Sequence, residues 1–278
     1  MEEVKFADEK LLNEKIKKFK KNNFHVVADF DGTLTKAFVE GQKTHTTIAQ
    51  IRQGNYLTPD YSARAHALFD EYHPYEISLD LSLIEKCDKM LEWWRKHMEL
   101  MIECGMNKEV ILDIIEKKKI VGREGLAELL NLLAENNIPL LIISAGLGDI
   151  IKEYLESEGI MHKNIHIISN FYNFDSNEKV IGYKSQIIHS YNKNEVAVKS
   201  HPYYEQIKER KNVILLGDSL GDLGMIEGIT HEEIIRIGFF NYDAEEPDEF
   251  LKSFDAAILN DGTMGYLIKL VKEIFNTG

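Results

Sequence analysis

Residues 24–34 read Phe24-His25-Val26-Val27-Ala28-Asp29-Phe30-Asp31-Gly32-Thr33-Leu34. The first five residues predict a buried strand, and Gly32-Thr33 turns the chain just past its end. Positions i and i+2 of a strand point to the same side, so Asp29 and Asp31 can face one site. Two acids left unpaired at such a place are costly, and a divalent cation removes that cost. The segment therefore points to metal-assisted carboxylate chemistry.

Downstream of this segment, apolar runs alternate with helical patterns. Ile138 to Ile143, Ile165 to Ile168, Val213 to Leu216 and Ile234 to Ile237 predict further buried strands. Helices are expected over about Arg123 to Glu135 and Leu147 to Glu158. Strands alternating with helices predict an α/β fold with a Rossmann-like, mostly parallel sheet covered on both faces. Upstream, Leu11, Leu12, Ile16 and Phe19 have helical spacing over about Asp8 to Asn22.

Residues 36–57 read as irregular and polar, and residues 58–121 as helices with almost no strand signal. Thr58-Pro59-Asp60 resembles a helix start with Pro in the first turn. Leu79, Leu83, Met90, Leu91 and Trp94 predict the apolar face of a second, longer helix. Asn107 is expected to cap a third, which carries Val110, Ile111, Ile114 and Ile115. The all-helical stretch reads as an insertion. The division expected is a core of residues 1–45 and 122–278 and a helical cap of residues 46–121.

The chain has 278 residues, enough for one large domain plus an insertion. Acidic residues outnumber basic ones 46 to 33, a formal net charge of −13. Such a surface repels polyanions, so nucleic acid polymers and anionic membranes are not expected partners. Cys87 and Cys104 are the only cysteines, which excludes a disulfide framework and fits a reducing compartment. Both read as core packing residues. The N-terminus lacks the apolar region of a signal peptide, and no run approaches the ~20 apolar residues of a membrane span. A cytoplasmic monomer is the expected state.

Three strand ends share one design. The first carries Asp29 and Asp31. The second ends in Ser144-Ala145-Gly146, where a helix is expected to begin. The third ends in Gly217-Asp218-Ser219-Leu220-Gly221-Asp222. Ligands of open α/β sheets bind outside the carboxyl ends of the strands, which is where all three clusters fall. Asp29, Asp31 and Asp218 offer hard oxygen ligands suited to Mg²⁺. Ser144, with backbone N–H groups at a helix start, suits an anion. An Asp carboxylate can also act as a covalent nucleophile. A lysine would help to stabilise a transferred phosphoryl group, and Lys184, Lys193 and Lys199 all lie between the second and third clusters. Alone, an Asp-x-Asp is a common turn feature; joined to Gly-Thr and to a later Gly-Asp-x-x-x-Asp, it is highly specific.

These motifs resemble those of the haloacid dehalogenase-like phosphatases, and within them the cytosolic class III pyrimidine 5'-nucleotidases. The likeness covers roughly residues 8–275. It includes Ser144-Ala145-Gly146-Leu147-Gly148-Asp149, Ser169-Asn170-Phe171, Ile214-Leu215-Leu216-Gly217-Asp218-Ser219 and Leu91-Glu92-Trp93-Trp94. By resemblance, Asp29 attacks phosphorus and forms an aspartyl-phosphate, and Asp31 acts as acid and then base. Mg²⁺ is held by the Asp29 side chain, the Asp31 carbonyl and Asp218, with Ser219 and Asp222 supporting them from behind. Ser144 and the Ala145 N–H hold the phosphate. The resemblance selects Lys193, in His189-Ser190-Tyr191-Asn192-Lys193, to neutralise it.

The cap is expected to choose the substrate. By resemblance Glu76 accepts hydrogen bonds from the base and Trp94 stacks on it, while one of Trp93 and Trp94 is expected in the cap core. His97 stands where the family has a small polar residue, often Ser, and this departure opens the question of base preference. A sister branch hydrolyses 7-methylguanosine monophosphate, and Trp94 looks more like that branch. The resemblance thus implies a Mg²⁺-dependent hydrolase of nucleoside 5'-monophosphates, with UMP, CMP or 7-methyl-GMP as substrate. Transfer of the phosphoryl group to a nucleoside acceptor would be a side reaction. The competing readings are a phosphatase of another small phosphomonoester and a non-catalytic nucleotide-binding regulator.

Overall fold

The computed structural model describes residues 3–184, 186–193, 203–241 and 247–276. Along the chain, strand β1 (Val4–Phe6) and helix α1 (Glu9–Ile16) lead to β2 (Phe24–Ala28). A small hairpin, β3 (Phe38–Val39) and β4 (Gln42–Lys43), precedes four helices: α2 (Thr47–Gln53), α3 (Tyr61–Ile77), α4 (Leu83–Glu103) and α5 (Lys108–Glu116). Then come α6 (Leu126–Glu135), β5 (Leu140–Leu147), α7 (Gly148–Ser157), β6 (Ile165–Phe174) and β7 (Val180–Lys184). The chain closes with α8 (Tyr204–Ile207), β8 (Asn212–Gly217), a 3₁₀ turn (Leu220–Ile226), β9 (Glu233–Phe240), α9 (Asp248–Leu251), β10 (Ala256–Leu259) and α10 (Gly265–Asn276).

The main sheet runs β1-β10-β9-β8-β2-β5-β6-β7. Its six inner strands are parallel, and β1 and β7 close the two edges antiparallel. This is the α/β, Rossmann-like arrangement expected, with β2 between β8 and β5 at its centre. Every residue of β2 is buried, as a strand covered on both faces requires. Phe24, Val27 and Ala28 are fully inaccessible; a Phe or Val side chain so buried contributes roughly 1.5–3 kcal/mol.

Helix starts follow local chemistry. Asp8 caps α1 by accepting from the Leu11 N–H, and Asn107 caps α5 by accepting from Val110. Ser82 and Glu85 form a reciprocal capping box at α4. Helix α3 begins at Tyr61 after Asp60, so Pro59 lies just outside its first turn.

Several expectations change. Helix α1 is shorter than its apolar spacing suggested: Leu12 and Ile16 are buried on it, Phe19 is buried beyond its end, and Leu11 is exposed. Residues 36–57 are not wholly irregular, since they hold the hairpin and α2. Leu79 precedes α4 and is 97% exposed, and Leu83 is 62% exposed. Met90 is buried on α4 as expected, and His97, Met98, Leu100 and Met101 complete its buried face. Apolar residues near the tip of a two-helix hairpin had no wall to pack on. Cys104 is buried as expected, whereas Cys87 is only half-buried. Strand β5 runs through Ser144, Ala145 and Gly146 to Leu147, with a register shift between Ile143 and Leu147, so α7 starts at Gly148. Helices α3 and α4 pack on each other, and α5 packs on α7.

Candidate active site

The carboxyl ends of β2, β5 and β8 meet under a cavity of about 530 Å³. Its floor holds Asp29, Asp31, Ser144, Ala145, Lys193 and Asp218. Its upper wall holds Phe69, His73 and Glu76 from α3, and Trp93, Trp94 and His97 from α4. The pocket therefore joins the three strand-end clusters to the helical insertion.

Lys193 lies at the centre of the floor. Its Nζ is 2.9 Å from Asp29 Oδ1 and 3.1 Å from Asp222 Oδ1. Burial alone would lower its pKa, but Asp222 and Asp29 outweigh burial and raise it. Of the other lysines considered, Lys184 ends β7 and does not line the cavity; Lys199 lies outside the described residues.

One carboxylate oxygen each of Asp29, Asp218 and Asp222 can be chosen within 4.8 Å of one another. Asp222 Oδ2 already accepts from the Asp218 N–H, the Ser219 N–H and the Ser219 hydroxyl, and its Oδ1 faces Lys193. Both its oxygens are occupied, so Asp222 shapes the turn rather than offering itself to a ligand. The Asp218 carboxylate receives no hydrogen bond from a described residue. Burial first, then Asp222 and Asp29, push its pKa well up. Burial also raises Asp29, to about 7, against the pull of Lys193. Three clustered acids facing one lysine leave excess negative charge. A hard divalent cation on Asp29 and Asp218 fits this donor set.

Gly32 makes that approach possible. Its φ is +77°, and a Cβ there would meet Asp218 Oδ2 at 2.4 Å. Only glycine tolerates both the left-handed turn and the contact.

Asp31 lines the same cavity but stands outside the three-acid group. Its carboxylate accepts from the Thr47 N–H at 3.1 and 3.2 Å and from Thr47 Oγ1 at 3.1 Å. Burial raises its pKa to about 6, opposed by these bonds. A carboxyl that titrates near neutrality suits a group that gives and then takes a proton.

Residues outside the three strand-end clusters also hold the site. Arg123, 2% exposed, donates from Nε to the Thr33 carbonyl at 2.7 Å and from Nη2 to the Gly32 carbonyl at 2.5 Å. It also reaches Asn241 Oδ1, the Gly262 carbonyl and Asp261, and lies over the Phe239 ring. It thus pins the turn that follows Asp31. Asn170 donates to the Ala145 carbonyl at 2.8 Å and exchanges hydrogen bonds with both backbone groups of Ile188. It ties the Ser144 segment to the loop that carries Lys193. Its neighbour Ser169, part of the same family-like Ser169-Asn170-Phe171 stretch, donates to the Gly146 carbonyl.

At the upper wall, Glu76 Oε1 accepts from Ser190 Oγ at 2.5 Å, and its Oε2 is 3.3 Å from His73 Nδ1. Both tryptophans line the cavity. Trp93 stacks on Tyr72 and meets Phe69 edge-on, and Trp94 also packs against the main core. His97 is buried beside Tyr61, with its Nε2 3.0 Å from the phenol oxygen, and burial lowers its pKa to about 4. The cavity thus has an ionic floor and an aromatic wall.

A profile of the pyrimidine 5'-nucleotidases (UMPH-1) matches residues 32–275. The chain belongs to this family. Membership makes it a 5'-nucleotidase, a hydrolase of phosphate monoesters. Among characterised relatives, 7-methylguanosine phosphate-specific 5'-nucleotidase A of Xenopus laevis is 35% identical over 266 residues, 94% of this chain and 92% of that one. The Homo sapiens 7-methylguanosine phosphate-specific 5'-nucleotidase is 34% identical, covering 92% of this chain and 86% of its own. The crystal structure of cytosolic 5'-nucleotidase IIIB bound to cytidine superposes with a TM-score of 0.86 at 27% identity, over 99% of this chain and 94% of that one. A phosphoserine phosphohydrolase-like protein of Francisella tularensis, 17% identical with a TM-score of 0.51, shares the fold.

Proposed function

We propose that this 5'-nucleotidase is a Mg²⁺-dependent enzyme that hydrolyses nucleoside 5'-monophosphates through an aspartyl-phosphate on Asp29. The observation that carries the reading is the single cavity in which Asp29, Lys193 and Asp218 lie below an aromatic wall bearing Glu76 and Trp94. The floor suits a phosphate and the wall suits a base.

In this reading the Lys193 ammonium and Ser144 draw the phosphate against Asp29, with the Ala145 N–H as a further donor. Asp29 attacks phosphorus, and Asp31 protonates the departing nucleoside oxygen. Asp31 then takes a proton from the water that releases phosphate. Asp29, Asp218 and the Asp31 carbonyl would hold Mg²⁺, which when bound withdraws charge from the phosphoryl oxygens. Ser219 and Asp222 fix the Asp218 turn and Lys193. Glu76 and Trp94 contact the base, and His97 limits its depth. Residues 46–121 act as the cap and the rest as the core. A cytosolic location accords with the name of the structural relative and with a chain of two free thiols.

Phosphate release with Mg²⁺ across UMP, CMP, AMP, GMP, 7-methyl-GMP and phosphoserine tests the substrate. Release from a nucleotide should exceed release from phosphoserine. Preference for phosphoserine would overturn the nucleotide reading.

A further inference from the structure

Thr47 touches the carboxyl that the proposed mechanism uses twice, yet it carries none of the motif chemistry. Its side chain is fully buried. Its hydroxyl accepts from the Leu147 N–H at 3.1 Å, which leaves its hydrogen to point at Asp31 Oδ2, also at 3.1 Å. The hydroxyl is therefore a donor to Asp31. The Thr47 N–H reaches both carboxylate oxygens. Oδ2 thus holds two donors and Oδ1 one. Gly146 closes the same side: a Cβ there would lie 2.1 Å from Thr47 Oγ1 and 3.1 Å from Asp31 Oδ2.

We propose that Thr47 is the positioning residue of the acid–base step, holding Asp31 so that Oδ2 is tied and Oδ1 carries the transferring proton. The inference rests on the nucleotidase mechanism above. As Asp29 bonds phosphorus, the P–O5′ bond breaks with its electron pair on O5′, and the proton on Asp31 Oδ1 moves to that oxygen. In the second step a water oxygen bonds phosphorus, its proton returns to Asp31 Oδ1, and the bond from phosphorus to Asp29 breaks. Thr47 also opens α2, whose Ile48, Ala49 and Arg52 line the cavity. A substrate pressing on this wall presses on the residue that aims the acid.

The test compares wild type, Thr47→Val and Thr47→Ser in steady-state UMP or 7-methyl-GMP hydrolysis, whichever the wild type turns over faster. Each variant is also combined with Asp29→Asn for calorimetric nucleotide binding. Thr47→Val should lower kcat on the order of a hundredfold, the scale of a misaligned general acid, while KM and nucleotide binding change less than about threefold. Thr47→Ser keeps the hydroxyl and should restore most of kcat. An unchanged kcat in Thr47→Val would overturn the proposal. So would a loss of binding that matches the loss of rate, or a serine variant as poor as valine. If wild type releases no phosphate from any nucleotide, the nucleotidase mechanism falls first; if only Thr47→Val behaves as wild type, the Thr47 assignment alone falls.

Discussion

The Lys193 ammonium lies 2.9 Å from Asp29 Oδ1, a contact made across 164 positions of sequence. It places a buried cation of the floor against the proposed nucleophile. An incoming phosphate would share that lysine. Lys193→Met should lower phosphate release on the order of a hundredfold or more, the scale of a lost electrostatic donor. Lys193→Arg should not restore it, because a planar fork cannot replace a point charge between Asp29 and Asp222. Initial rates at saturating nucleotide decide the point.

The acid cluster makes a metal prediction. Removing divalent cations with a chelator should abolish phosphate release, and Mg²⁺ should restore it. Mg²⁺ should also raise the melting temperature, since a ligand at a hundred times its Kd stabilises by about 2.7 kcal/mol. Asp218→Asn should lose most of that shift. A thermal melt with and without Mg²⁺ reads both.

Arg123 is predicted to be structural first and functional through structure. It holds the carbonyls of Gly32 and Thr33 from a buried position. Arg123→Met takes one donor from each of those carbonyls, Asn241 still reaching Gly32, and removes the cation beside Asp261; breaking a buried charge of this kind costs about 3–5 kcal/mol. Urea unfolding should show the loss, and kcat should fall with it because the Asp29–Asp31 turn relaxes.

Much of this was legible from residue order, and the boundary is physical. Asp29 and Asp31 could be read because a strand end fixes where i and i+2 point, and Asp218 because it follows another strand at the same sheet edge. Lys193 could not be separated from Lys184 and Lys199 by chemistry, since a flexible stem reaches a site from many positions. Arg123 and Thr47 act on backbone carbonyls and a carboxylate by way of tertiary contacts, which leave no spacing in the sequence. Helix α2 was missed because Thr47–Gln53 is short and largely polar. The α4 face was misplaced toward Leu79 and Leu83 because periodicity does not say where a hairpin outruns its partner.

Acid should destabilise the protein through two histidines. Burial holds His97 and His189 neutral, with pKa values lowered to about 4 in both. The unfolded chain binds protons on them near 6.5, so their contribution is complete above that pH and is lost as pH falls toward 4. At pH 5 this is about 2 kcal/mol per histidine, as an order of magnitude. His97→Leu should therefore compare better with wild type at pH 5 than at pH 7.5. Urea unfolding at both pH values checks it; a difference independent of pH would contradict it.

The central claim is that Asp29 is the nucleophile of a nucleotide hydrolase. Phosphate release by Asp29→Asn, beside wild type at equal nucleotide and Mg²⁺, tests it most directly. Release should vanish while calorimetry still detects nucleotide binding. Release at the wild-type rate would contradict the account.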